Sequence, residues 1–248
     1  MYNILITGSN GFVGKNLIQY LTNNNEINIL TFTRDNTLND LENLIKKSDF
    51  IFHLAGEVRP DSSEDDFNKS NAILTKSIVD ILEKLGKKIP ILLASTIHAK
   101  LLKNEYGKSK RVSEKTIEEY SINNKIQCSI YRLPHVFGEG CKANYNSVIS
   151  TWIYNSINNL DVNVFDRSIE MHYVYVQDIV KEFLENLKTN NSKLYKEPKY
   201  IYDTTLGEVV DYINEFKETS NELVEFDNEF KQKLYQTYKD YEVKVLNG

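Results

Sequence analysis

The chain has almost no cysteine: two in 248 residues, Cys128 and Cys141. That excludes a disulfide framework, and the spacing is not that of a metal site. A reducing, cytoplasmic setting is the simplest expectation. There is no basic excess either. Lys and Arg number 30 against 35 Asp and Glu, a net charge of −5. That balance argues against a nucleic-acid binder, which presents a basic surface. It leaves room for small anionic ligands, which need only a local group of Arg and Lys. No apolar run is long enough to span a membrane. Met1-Tyr2-Asn3-Ile4-Leu5-Ile6 runs straight into a strand pattern with no basic leader, so no signal peptide is expected. No internal repeat is present.

What the chain does have is a hydrophobic fraction of 41%, enough for a real core. The length suits one large domain, or one domain with a small appendage. Apolar runs at 4–6, 27–32, 50–54, 89–94 and 126–133 read as strands. Helical patterns fall between them at 12–21, 38–45, 71–85 and 106–120. Residues 57–66, with Pro60 and Glu64-Asp65-Asp66, read as a loop. Strict alternation predicts an α/β fold, a doubly wound parallel sheet covered by helices on both faces. After Pro134 the rhythm breaks. Gly138, Gly140 and Lys142 to Ser147 read as a loop, 148–158 as a helix, 162–165 and 171–176 as strands. Helices are expected at 177–187, 206–217 and 228–241. The charged run from Glu222 to Lys233 reads as a solvated face.

Thr7-Gly8-Ser9-Asn10-Gly11-Phe12-Val13-Gly14 lies between the first strand and the first helix. Glycine there permits a tight turn, close backbone approach to a diphosphate, and close helix–sheet packing. The exposed N–H groups and the helix dipole then bind the anion. The alternative is a Gly-rich turn that merely opens a helix. The second strand ends Thr31-Phe32-Thr33-Arg34. An NAD site usually offers an acid at that point. Arg34 can instead pair with a 2′-phosphate, with Thr33 beside it. Asp35 complicates the choice, but NADP is favoured. The alternative for Arg34 is a surface arginine.

Tyr106-Gly107-Lys108-Ser109-Lys110 puts a phenol and an ammonium on one helix face. A free tyrosine, with a pKa of about 10, is a poor acid or base at neutral pH. A nearby cation favours the phenolate. Thr96 ends an apolar strand, and ligands of parallel sheets bind outside the carboxyl ends of strands. Its hydroxyl can hold a carbonyl while Tyr106 supplies the proton. Lys110 would support the tyrosine and reach the cofactor ribose. Alternation turns Ser95 to the other face. Taken alone, Thr96 reads equally as a strand-end cap.

Together these motifs, with His53-Leu54-Ala55-Gly56 and Arg132-Leu133-Pro134-His135-Val136-Phe137-Gly138, resemble the extended short-chain dehydrogenases/reductases acting on nucleotide sugars. Gly140 to Ile149 and the short gap from Thr96 to Tyr106 resemble more closely the reductase half of bacterial capsule and O-antigen enzymes. Those make UDP-N-acetyl-L-fucosamine-type precursors. They reduce the C4 ketone of a UDP-2-acetamido-2,6-dideoxy-hexos-4-ulose with NADPH. The resemblance implies a Rossmann-like NADP-binding domain over residues 1–138, its sheet completed by segments around 162–187. Residues 139–248 would mainly bind substrate. It implies catalytic roles for Thr96, Tyr106 and Lys110. It adds Leu54, Ala55, Gly56 and Leu133 to the cofactor site of Thr7, Gly8, Asn10, Gly11, Phe12, Val13, Gly14, Thr33 and Arg34. The 4,6-dehydratases carry an Asp-Glu pair after the strand-end Thr, where this chain has Ile97-His98. The 4-epimerases keep NAD tightly bound and typically have an acid where Arg34 stands. Such an epimerase, or a non-catalytic NADP(H) sensor, is the alternative function. Sensors usually lack the Tyr/Lys pair.

The resemblance departs in two places. Relatives often have Asn where this chain has His135. The capsule enzymes also continue into a cupin domain that epimerises at C3, near where Gly248 stands. A truncated bifunctional enzyme and a stand-alone reductase with a separate epimerase both fit. Lys142, Arg132 and Arg167 are candidates for the UDP diphosphate; Asn144, Tyr145 and Asn146 for the uracil or the N-acetyl sugar. Each has an ordinary surface or packing role as its alternative, and Arg132, inside a strand, fits a structural one. His135 is a substrate-contact candidate. His98 reads as an auxiliary acid or a surface histidine. His53 would line the cofactor floor, Tyr175 would pack, and Asn71 reads equally as an N-cap or a site residue. A homodimer through helices of the Rossmann half is expected.

Overall fold

The computed structural model describes residues 1–59, 61–188, 193–219 and 224–247. Pro60, Glu222 of the charged run, and Gly248 lie outside them. The elements are β1 (Tyr2–Thr7), α1 (Phe12–Leu21), β2 (Ile27–Phe32), α2 (Leu38–Lys47) and β3 (Phe50–His53). There follow α3 (Glu64–Phe67), a π-helical turn (Asn68–Ile73), α4 (Leu74–Lys84), β4 (Ile91–Thr96), α5 (His98–Leu101), α6 (Glu105–Asn124) and β5 (Ser129–Leu133). Then come β6 (His135–Phe137), α7 (Val148–Ile157), β7 (Glu170–Tyr175), α8 (Val176–Lys188), β8 (Tyr195–Lys196), β9 (Tyr202–Thr205), α9 (Leu206–Glu218) and α10 (Glu229–Asn247).

The first of two units comprises Met1–Leu133 and Val180–Pro198. Its six-stranded sheet runs β2-β1-β3-β4-β5-β8, parallel throughout. A sheet buried on both faces demands apolar residues at successive positions, and Ile4, Leu5 and Ile6 are all fully buried. Alternation sorts them. Leu5, Ile51, Leu93 and Ile130 pack with Leu41 and Ile45 of α2, Ile78 and Leu82 of α4, and Ile117 of α6. On the other face, Phe52 and Tyr131 meet Phe183 of α8 at ring distances of 6.0 and 5.0 Å. Helices therefore cover both faces, as the alternation predicts.

The carboxyl ends of the strands are in register where a ligand would bind. Thr7 lies level with Phe32 of β2 and His53 of β3, and Thr96 of β4 with Leu133 of β5. The helices start at local signals. Thr37 and Asp40 form a capping box on α2, and Asn104 caps α6 by accepting the Gly107 N–H.

The second unit comprises Pro134–Ile179 and Lys199–Gly248. Its sheet runs β6-β7-β9, with β6 and β7 parallel and β7 and β9 antiparallel. Phe137, Tyr173, Tyr175 and Phe230 form its aromatic core with Trp152, Ile213 and Leu234.

Several expectations need correction. The sixth strand of the first sheet is β8, not a segment of 162–187. That two-residue strand sits in a polar, lysine-rich stretch. Polar contacts secure it: Arg111 donates to the Tyr195 hydroxyl, which also bonds Glu118. The expected strand at 171–176 exists as β7 but belongs to the second sheet. Residues 162–165 form no strand; Val162 and Val164 pack on the second core while Phe165 is fully exposed. The expected 57–66 loop ends early, because Ser63 and Asp66 cap a helical turn at Glu64. No helix among the described residues is long and apolar enough to cross a membrane. Cys128 and Cys141 are buried free thiols.

Candidate active site

The glycine loop is built by close approach. Gly8 has φ +70°, and a Cβ there would stand 2.7 Å from the Ala55 backbone. A Cβ on Gly14 would stand 2.4 Å from the Gly8 carbonyl oxygen. The loop is thus closed against the end of β3. Thr7 Oγ1 accepts the Ala55 N–H at 3.2 Å, and the Leu54 N–H donates to the Thr7 carbonyl. Gly11 is the N-cap of α1 and offers no side-chain acceptor to the first N–H groups of that helix. Such a helix start, behind glycines that let the backbone come close, fits a dinucleotide diphosphate.

Thr33 is held locally, its N–H donating to Asn36 Oδ1. Arg34 donates to Glu57 Oε2 at 2.8 Å, so the end of β2 reaches the chain leaving β3. Glu57 also accepts from Arg59 Nε and Nη2, at 3.0 and 3.1 Å, and from the N–H groups of Val58 and Arg59. The Glu57 side chain is 2% exposed and that of Arg34 is 70% exposed. Burial works against the carboxylate, yet Arg59 and the two backbone donors hold its pKa at about 2. Glu57 and Arg59 were not singled out from sequence. Their one signal is position, directly past β3 on the same side of the sheet as Arg34.

The structure brings Thr96 close enough to Tyr106 for its side chain to act on the phenol. Burial pushes the Tyr106 phenol up to about 12, with Thr96 pulling the other way. Its ring lies 5.8 Å from Phe67 and 6.1 Å from His98. His98 is therefore a half-buried neighbour of the phenol, and its N–H donates to Thr96 Oγ1 at 3.3 Å. Lys110 is 4% exposed, and its Nζ donates to the Ala94 carbonyl at 2.6 Å. Burial pulls its pKa down to about 8, opposed by the charge of Glu114. A cation so placed is poised near neutral pH. Ser95, on the other face of β4, donates to Glu114 at 2.7 Å.

Arg132 is not available to a diphosphate. Its Nε and Nη2 donate to the fully buried Glu114 at 2.9 and 2.7 Å, and its guanidinium lies 4.5 Å from the centre of the Tyr195 ring. Arg111 completes the cluster by donating to Glu114 at 2.9 Å. Asn71 is not an N-cap. It sits inside the π turn, buried, and bonds the backbone of Glu57 and the side chain of Ser109. His53 is buried between Thr7 and Thr75, and burial, with the Lys110 charge adding to it, lowers its pKa to about 3.

The remaining candidates lie in the second unit. His135 is exposed on β6, 5.9 Å from the Tyr173 ring. Lys142 stands 5.9 Å from the centre of the Tyr145 ring, and Asn144 takes a left-handed turn, φ +53°. Both residues, with Tyr145 and Asn146, are exposed. Arg167 is committed to Asp211 at 2.7 Å and to the Gly207 carbonyl, a clip at the start of α9. Tyr175 packs as expected and also bonds Glu139 and Gln236.

A profile of the NAD dependent epimerase/dehydratase family matches residues 4–198, from β1 to just past β8. The chain belongs to that family. Within it, the chain is 35% identical over 245 residues to the UDP-2-acetamido-2,6-beta-L-arabino-hexul-4-ose reductase of Pseudomonas aeruginosa. The match takes in 96% of this chain and 64% of that protein. Among solved structures it resembles the capsular polysaccharide assembling protein CapF of Staphylococcus aureus, with 38% identity and a TM-score of 0.85. That likeness covers 96% of this chain and 65% of CapF. The chain thus spans just under two thirds of both relatives. UDP-glucuronic acid 4-epimerase of Bacillus cereus, solved with NAD, shares the fold at a TM-score of 0.85 and 14% identity, over 99% of this chain and 98% of its own.

Proposed function

We propose that this epimerase/dehydratase family member reduces the C4 ketone of a UDP-2-acetamido-2,6-dideoxy-hexos-4-ulose, using NADPH, in the supply of nucleotide sugars for surface glycans. The observation that carries the reading is the grouping of buried Thr96 beside the Tyr106 phenol, with buried Lys110 one helical turn on. The names of the Pseudomonas and Staphylococcus relatives point to the same substrate class and the same end use.

NADPH would rest its diphosphate on the Gly8–Gly14 loop and its adenosine 2′-phosphate beside Arg34 and Arg59; when bound, it supplies the hydride. Thr96 holds the ketone oxygen by its hydroxyl. Tyr106 gives that oxygen a proton, and its raised pKa keeps the phenol protonated across the neutral range. Lys110 brings a positive charge close to the phenol as it loses its proton. His98, beside Tyr106, borders the substrate. From the second unit we assign His135, Lys142, Asn144, Tyr145 and Asn146 to substrate contact. Arg167 instead pairs with Asp211 and bonds the Gly207 carbonyl, a role at the start of α9. The working form is assigned as a cytoplasmic homodimer.

The test is NADPH consumption. It should begin only when a UDP-4-keto-6-deoxy-N-acetylhexosamine is added. Tyr106→Phe should abolish it while NADPH binding persists. Unchanged turnover in that variant would sink the mechanism. NAD that co-purifies and survives gel filtration would favour an epimerase instead.

A further inference from the structure

Five buried polar residues in the first unit form one line of hydrogen bonds, passing through the backbone carbonyl of Asn71, and with His53 neutral its protons admit a single assignment. Thr7, His53, Thr75, Asn71 and Ser109 are each no more than 2% exposed. The line begins where the Ala55 N–H donates to Thr7 Oγ1 at 3.2 Å. Thr7 Oγ1 lies 2.7 Å from His53 Nδ1, and His53 Nε2 lies 2.8 Å from Thr75 Oγ1. The Thr75 hydroxyl donates to the Asn71 carbonyl at 2.7 Å. A carbonyl only accepts, so that bond uses the single hydroxyl proton of Thr75. Thr75 must therefore accept from His53 Nε2–H. A neutral imidazole carries one proton, so Nδ1 is bare and accepts from Thr7. Asn71 continues the line. Its Oδ1 accepts the Glu57 N–H at 3.0 Å, and its Nδ2 donates to Ser109 Oγ at 2.9 Å. Ser109 in turn donates to the Tyr106 carbonyl at 2.9 Å.

One end of this line is the last residue of β1, beside the glycine loop. The other is the turn of α6 that bears Tyr106 and Lys110. We propose that His53, held as the neutral Nε2–H tautomer, is a positioning residue that fixes the dinucleotide floor at Thr7–Ala55 relative to the Tyr106–Lys110 turn. The inference rests on the reductase reading above. Apolar packing alone lets two elements slide. Directional bonds in series, with every proton assigned, do not. The spacing matters because displacing a catalytic group by about 1 Å can cost on the order of a hundredfold in rate. The two ends are near each other. The position of a Cβ on Gly56 lies 2.6 Å from Asn71 Oδ1 and 3.7 Å from Lys110 Nζ.

The test compares His53→Phe, which breaks both ring bonds, and Thr75→Val, which removes one hydroxyl. His53→Gln keeps an amide N–H for Thr75. Turnover per folded enzyme, NADPH affinity by nicotinamide fluorescence, melting temperature and amide exchange are measured on each. His53→Phe and Thr75→Val should lower kcat about tenfold or more. NADPH Kd should stay within about threefold, so the loss falls on kcat. His53→Gln should recover most of it. Amide exchange should rise together at 54–57 and 105–110 and stay unchanged in α2. A lower melting temperature with unchanged kcat in the folded fraction would reduce the line to core structure and overturn the proposal. So would a loss of kcat that His53→Gln does not recover. Should His53→Phe fail to fold, Thr75→Val decides alone. If the wild-type protein consumes no NADPH with any such ketone, the reductase reading falls. Exchange then still decides the coupling, and a rise confined to one of the two segments overturns it.

Discussion

The Lys110 ammonium is held by a backbone carbonyl, that of Ala94 at 2.6 Å, rather than by a carboxylate. Glu114, one turn further along α6, has both oxygens taken by Arg132, Arg111 and Ser95. The lysine therefore carries its charge into the core at a cost, and that cost is visible in its lowered pKa.

A first prediction concerns alkaline stability. Lys110 has a pKa of about 8 in the folded protein against 10.5 when exposed. Between those values the unfolded chain binds a proton that the folded chain has released, so stability rises with pH. The gain from this group is bounded at about 3 kcal/mol. Above pH 10 Tyr106 and Tyr120, both raised to about 12 by burial, act in the opposite direction. Urea unfolding at pH 7.5 and 9.5 should show the rise in the wild type and a smaller one in Lys110→Met.

Acid should act through two groups in succession. Buried His53 stays neutral down to about pH 3, whereas an unfolded histidine takes up a proton below about 6.5. Stability should fall as pH drops through that window, by at most about 5 kcal/mol from this group. Glu57 has its folded pKa near 2 against 4.5 when exposed, so its contribution is present above 4.5 and is lost on the way down to 2. Unfolding midpoints measured from pH 7 to 3 should lose the upper part of the slope in His53→Gln. The lower part should go in Glu57→Gln.

Cofactor choice should follow the two arginines on Glu57. An arginine–phosphate hydrogen bond contributes about 1.5–3 kcal/mol. Arg34→Ala and Arg59→Ala should each weaken NADPH by roughly 10- to 100-fold while leaving NADH nearly unchanged. Fluorescence titrations with both nucleotides read this directly. Equal weakening of the two would remove the 2′-phosphate from this position.

Arg132 should matter for stability and not for substrate. Arg132→Ala leaves the buried Glu114 carboxylate without two of its three charged hydrogen bonds. Breaking such a pair from one side costs about 3–5 kcal/mol. Denaturant titration should show that loss. The KM for sugar nucleotide in the folded fraction should not change.

The features legible in sequence were those fixed by local spacing. The Gly8–Gly14 loop, the strand end at Thr96 and the four-residue step from Tyr106 to Lys110 each need only their own neighbourhood. The parallel sheet was legible for the same reason, because β1 to β5 are apolar runs divided by helical ones. What stayed hidden depends on distant partners. Asn71 takes its role from Glu57 and from Ser109, 38 residues away. Arg132 reads in sequence as either a cation for a diphosphate or a structural residue, and its partner Glu114, 18 residues away, decides for the second. β8 is two residues long and is identified by what bonds Tyr195, not by a hydrophobic pattern. Arg167 has its partner Asp211 44 residues away.

The π turn at Asn68–Ile73 is in effect an extra residue stored in the helix. Deleting one residue there would restore regular α geometry and rotate Asn71 by about 100° relative to α4. It would then face away from Glu57 and Ser109 although no side chain had been substituted. At this one place chain length, rather than residue type, decides whether Asn71 links the chain leaving β3 to the Tyr106 helix. In sequence comparison, a one-residue gap between 68 and 73 would mark a protein that connects them by other means, even where Thr96, Tyr106 and Lys110 all align.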